Sequence, residues 1–130
     1  MGRGRSRPLN VPGRCESVIL PAMPSSSSYL SEIEAPLRAE VDALPGWTLL
    51  EFGTGWCGHC RAAQPVVAEI LTLYPLWRHL KVEDGSGRAL GRSFGVRLWP
   101  TLVLMHNGLE QAHWVRPETA EQIALDMSSP

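Results

Sequence analysis

The sequence predicts an α/β domain of three layers, with helices on both faces of a central mixed sheet of four or five strands. Two stretches carry that prediction. A short apolar run at 47–52 leads into a helical pattern after Cys60 and then into a second short run at 80–82. A strand, a crossover helix and a strand form a unit whose two strands run parallel. Further on, two strand-like runs at 101–106 and 109–115 flank Asn107-Gly108, the strongest short hairpin signal, which adds an antiparallel pair.

The remaining elements fall between these landmarks. Residues 1–27 are rich in Arg, Pro and Ser and read as a disordered tail, so the domain is expected over 28–130. A short first strand is expected near Tyr29-Leu30. Ser31 and Glu34 have the spacing of a capping box, whereas Pro36 prefers a first helical turn, so two signals place the start of the first helix a few residues apart. Leu37, Val41 and Leu44 form its apolar stripe. In the second helix Val66, Ile70 and Leu73 recur at helical spacing, broadened by Val67, Leu71 and Tyr74, and Pro65 should kink the axis. A turn over 83–87 precedes a short helix over 88–94, closed by Gly95. Pro117 and Glu118 suit the first turn of a last helix with Ala120, Ile123, Ala124 and Met127 on its apolar face.

Length and charge narrow the classes of function. A chain of 130 residues fits one domain with a real core. With 12 basic and 13 acidic residues it carries no field suited to nucleic acid or an anionic membrane. No apolar run approaches the roughly 20 residues of a membrane span. Arg3, Arg5 and Arg7 are not followed by the apolar stretch of a signal peptide, because Pro21 and Pro24 interrupt it. A cytoplasmic protein is therefore expected, with Met23 as an alternative start. Three cysteines are too few for a disulfide-stapled scaffold, and Cys15, in the tail, reads as a free thiol without a role.

The chemistry is concentrated in Trp56-Cys57-Gly58-His59-Cys60. A Cys-x-x-Cys pair between a strand and a helix is a redox signature. With Glu51, Pro65, Lys81, Pro100-Thr101 and Gly108 in matching order and spacing, the chain from about residue 29 to 127 resembles the thioredoxin family. The Gly-His between the cysteines is similar to that of protein disulfide isomerases. The resemblance implies a thioredoxin fold and a thiol–disulfide oxidoreductase working through a Cys57–Cys60 disulfide without a further cofactor. It also implies a buried acid at Glu51, tuned by Lys81, and a cis peptide bond before Pro100. Three departures surround the implied groove: Gly53 where many members have Trp, Trp99 before the proline, and Arg116 where a glycine is usual.

From this follow the expected roles. Cys57, at or before a helix N-terminus, is the acidic and exposed nucleophile, and Cys60, more buried, the resolving thiol. Gly58 and His59 set the redox poise, the imidazole by stabilising the neighbouring thiolate. Glu51 accepts the proton of Cys60, its pKa raised by burial; periodicity alone equally allows it to face solvent. Trp56, Trp99, Pro100 and Thr101 form the surface for a partner, although Trp99 also reads as core. Trp47, Trp77 and Trp114 read as packing, and His79, His106 and His113 as surface residues. The implied partners are protein disulfides and an upstream reductase such as a thioredoxin reductase, met by a monomer. Disulfide reduction is the expected direction, and isomerase-like exchange is the alternative. Zinc binding by the cysteines with two histidines needs a second ligand pair that the spacing does not supply, and a non-catalytic binding module has no need of the cysteine pair.

Overall fold

The computed structural model describes residues 28–128, so the tail and Cys15 lie outside the described residues. Four strands form one mixed sheet: β1 (Trp47–Gly53), β2 (Arg78–Glu83), β3 (Thr101–His106) and β4 (Leu109–Val115), in the order β2-β1-β3-β4. β1 pairs with β2 in parallel and with β3 antiparallel, and β3 pairs antiparallel with β4. The expected first strand is a single bridge, in which Leu30 pairs in parallel with Val82.

Strand alternation builds two apolar layers. Leu50 and Phe52 of β1, with Leu80, Val82, Val103 and Met105, face helices α1 (Arg38–Asp42) and α3 (Ala89–Ser93) through Val41, Leu44, Leu90 and Phe94. Leu49, Leu102, Leu104 and Trp114 face α2 (Gly58–Leu73) and α4 (Ala120–Ser128) through Val67, Ile70, Ala120 and Ile123. The three-layer prediction is thus realised with four strands. Trp77 and Trp114 are buried in the second layer and Trp47 packs against it, as packing residues should.

Several boundaries differ from the expectation. Ser31 and Glu34 do make the reciprocal bonds of a capping box, but around an isolated turn. The helix itself starts at Arg38, after Pro36, where the Leu37 N–H finds the Glu40 carboxylate. Leu37 therefore lies outside the periodic stripe and is 71% exposed. On α2 the buried face is Cys60, Ala63, Val67 and Ile70, which leaves Leu73 exposed. The helix continues through Pro65, which has no N–H to give the ladder. Pro117 and Glu118 precede α4, whose free N–H at Gln122 is met by the Thr119 hydroxyl. In the hairpin, Asn107 and Gly108 both have positive φ, at 49° and 85°. That suits the right-handed twist of the strands. A Cβ on Gly108 would collide with the Asp42 carbonyl, so the turn also fixes the approach to α1.

Candidate active site

The site lies where β1 ends and α2 begins. Cys57 is the N-cap of α2, with extended backbone, and its sulfur accepts the Cys60 N–H at 3.2 Å. Both cysteines are free thiols and both are buried, Cys57 at 8% exposure and Cys60 at 1%. Cys57 is therefore the more accessible of the two, though less open than a nucleophile was expected to be. Burial pushes its pKa up, but the bonds from Cys60, the backbone N–H of His59 and the charge of Arg116 outweigh burial and hold it below the ordinary thiol value. The Cys60 thiol is pushed up to about 11, first by burial and then by its hydrogen bond to Cys57. Three residues apart, the two thiols have opposite character.

His59 is exposed, and its contribution to Cys57 comes through the backbone N–H. The side-chain cation that acts on Cys57 is Arg116, one of the departures noted above. Arg116 has φ 50°, and its Nε donates to the Trp99 carbonyl at 2.8 Å. The Trp99–Pro100 bond is cis. Trp56 is 72% exposed and meets Trp99 edge to face, with centroids 5.7 Å apart. The Trp99 indole N–H donates to the buried carboxylate of Asp84 at 2.8 Å, and the Asp84 backbone N–H bonds the Gly53 carbonyl. Trp99 is thus part anchor and part surface. Thr101, expected in the partner surface, is buried, and its hydroxyl bonds the Leu98 carbonyl at 2.7 Å. Its side chain offers nothing to a partner.

Behind Cys60 lies a polar network beneath α2. Glu51 is fully buried, which settles the alternation in favour of the inward option. His79 Nε2 lies 2.8 Å from one carboxylate oxygen. The other oxygen accepts the Gln64 amide at 2.8 Å and the Tyr29 hydroxyl at 3.3 Å. Gln64 also donates to the Cys60 carbonyl and accepts from Lys81, whose ammonium lies over the Tyr29 ring. The expected rise in the Glu51 pKa does not occur. Burial raises it, but the hydrogen bonds of His79 and Gln64 and the charges of His79 and Lys81 bring it below the usual carboxylate value. His79 is not a surface residue: its side chain is only 12% exposed. β2 begins at Arg78, two residues earlier than the apolar run suggests, and alternation then places His79 on the same face as Lys81, the register partner of Glu51. Gln64, His79, Tyr29 and Asp84 are the site residues that sequence reasoning missed. The parallel register of β1 and β2 would have found His79; nothing local points to Tyr29 or Asp84.

Among the described residues no group of three or more His, Cys, Asp or Glu side chains is arranged to hold a metal, and no helix is long and apolar enough to cross a membrane.

A cysteine pair spanning the first turn of a helix that follows a central strand, on this four-stranded sheet, defines the thioredoxin-like class of proteins. The thioredoxin family profile matches residues 31–129, and the chain belongs to that family. It is 40% identical over 68 residues to a protein disulfide-isomerase (erp38) of Neurospora crassa, covering 49% of this chain and 18% of that protein. It is 28% identical over 120 residues to protein disulfide-isomerase A3 of Gallus gallus, covering 86% of this chain and 23% of that protein. The chain thus spans about a fifth of the length of these two relatives. Reduced thioredoxin 2 of Pseudomonas aeruginosa superposes with a TM-score of 0.65 at 51% identity, covering 81% of this chain and 92% of that one.

Proposed function

We propose that the chain is a thiol–disulfide oxidoreductase that reduces protein disulfides, with Cys57 as nucleophile and Cys60 as resolving thiol. The observation that carries this reading is the Cys60 N–H to Cys57 Sγ hydrogen bond at the α2 N-terminus, which favours charge on Cys57 and keeps the second sulfur alongside. The Cys57 thiolate attacks a partner disulfide, forming a mixed disulfide and expelling one partner thiolate. Cys60, once deprotonated, attacks the Cys57 sulfur, forms the Cys57–Cys60 bond and releases the second partner thiol. An external dithiol then restores the reduced pair. Ionised Glu51 is the base toward which the Cys60 proton moves, and Lys81 and His79 keep it ionised. Trp56 and the Trp99–Pro100 backbone form the surface on which an extended partner lies, beside a pocket lined by His59, Val66, Arg116 and Pro117.

Isomerase-like exchange is the second reading, favoured by the likeness to protein disulfide-isomerases and by the Gly58-His59 pair. Equilibration of the Cys57–Cys60 pair with glutathione or a reference thioredoxin separates the two. A reduction potential of about −270 mV, thioredoxin's own value, is expected for a reductase; about −180 mV, the value of protein disulfide isomerase, overturns reduction in favour of exchange.

A further inference from the structure

Tyr29, from the segment before α1, lies beside both the resolving sulfur and the buried acid. Its hydroxyl donates to Glu51 Oε2 at 3.3 Å, and its polarity works to lower the pKa of the Cys60 thiol against the effect of burial. The gap that admits it is made by Gly53. A Cβ at that position would lie 2.5 Å from Cys60 Sγ and 3.2 Å from Tyr29 Oη, so the sulfur and the hydroxyl both border the space that any other residue would fill with its side chain. Lys81, 4.5 Å from the ring centre, and the Leu30–Val82 bridge hold the tyrosine in place.

We propose that Tyr29 is a catalytic residue of the resolving step, relaying the Cys60 proton to Glu51 and then donating a hydrogen bond to the Cys60 thiolate. The inference rests on the dithiol reading above. In the mixed disulfide Cys57 carries no charge, so its opposition to ionisation of Cys60 is gone. The Cys60 S–H proton passes to Tyr29 Oη as the hydroxyl's own proton passes to Glu51 Oε2. The products are a Cys60 thiolate, a neutral tyrosine and a protonated Glu51. The tyrosine O–H then points at the sulfur. The thiolate attacks Cys57 Sγ, the Cys57–partner S–S bond breaks, and the departing partner thiolate takes up a proton from solvent. The titratable groups facing this relay are Cys57 and Cys60 from α2 and its cap, Glu51 from β1, and His79 and Lys81 from β2.

The test uses the full reduced chain and dithiobis-nitrobenzoate, an aromatic disulfide whose thiolate is coloured. The first equivalent of colour reports attack by Cys57, and the second reports resolution by Cys60. Tyr29→Phe is expected to leave the first phase unchanged and to slow the second on the order of tenfold near neutral pH, the loss of one hydrogen bond to a charged group. The difference from wild type should shrink as rising pH ionises Cys60 without help. Tyr29→His, which keeps a polar hydrogen, should recover most of the rate. Should either variant disturb the first phase, the ratio of second to first phase is compared with that of Tyr29→Leu. An unchanged second phase in Tyr29→Phe, or a slowing equal at every pH, overturns the relay while leaving the dithiol reading intact. Absence of a second phase in the wild-type chain overturns the dithiol reading and the relay with it.

Discussion

Cys57 and Cys60 are separated by one helical turn, yet the structure treats them as opposites. Around Cys57 the groups are N–H donors and a cation: the open first turn of α2, the Cys60 amide and Arg116. Around Cys60 there is apolar burial, a neighbouring sulfur and, beyond it, a ring of polar side chains centred on Glu51. The lesson is that position along the helix decides reactivity. The cap residue sees the uncompensated N–H groups, whereas the residue one turn in sees a helix already bonded and the core beneath it.

Removing either sulfur breaks the comparison outright and gives the largest effects. Cys57→Ser should abolish turnover in an insulin-reduction assay. Cys60→Ser should still attack but accumulate mixed disulfides, visible as adducts on non-reducing gels; full multiple-turnover activity in that variant would sink the two-cysteine mechanism.

The next effect concerns the buried acid. His79→Leu leaves one Glu51 oxygen without its partner, and should cost about 2–3 kcal/mol of stability at pH 7 by denaturant melts. The sign with pH is defined. In wild type the Glu51 pKa is depressed, so its stabilisation is present above the unfolded carboxylate value of about 4.3 and is lost as pH falls below it. In the variant burial dominates and raises that pKa, so the deficit should shrink toward pH 4. A deficit that does not change with pH would mean that His79 supports packing and not the charge of Glu51.

The smallest effect sharpens the Cys57 side. Arg116→Gly should raise the Cys57 pKa only slightly, an exposed charge acting through solvent, with the gap closing in high salt. No shift at low salt would leave the helix terminus as the whole cause of the acidity.

Much of this was legible in the sequence because it depends on local spacing. The hairpin at Asn107-Gly108, the β1–α2–β2 unit and the cysteine pair at a helix start are each written within a few adjacent residues, and each is found where expected. The family resemblance added the cis bond at Pro100 and the inward direction of Glu51, which alternation alone left open. What escaped depends on register between distant segments. His79 looked like a surface residue until pairing with β1 carried it beneath α2. The Glu51 pKa could not be signed without counting its partners, and Tyr29 and Cys60 share the space left because Gly53, 24 positions along the chain from Tyr29, lacks a side chain.

The opposition between the two thiols is tested most directly by alkylation of the reduced chain with iodoacetamide across pH, with each modified cysteine located by mass spectrometry. Cys57 should be modified first, with a midpoint below the free-thiol value of about 8.5, while Cys60 should resist until pH approaches about 11. Simultaneous modification of both cysteines with a common midpoint, or modification of Cys60 first, would contradict the assignment of nucleophile and resolving thiol.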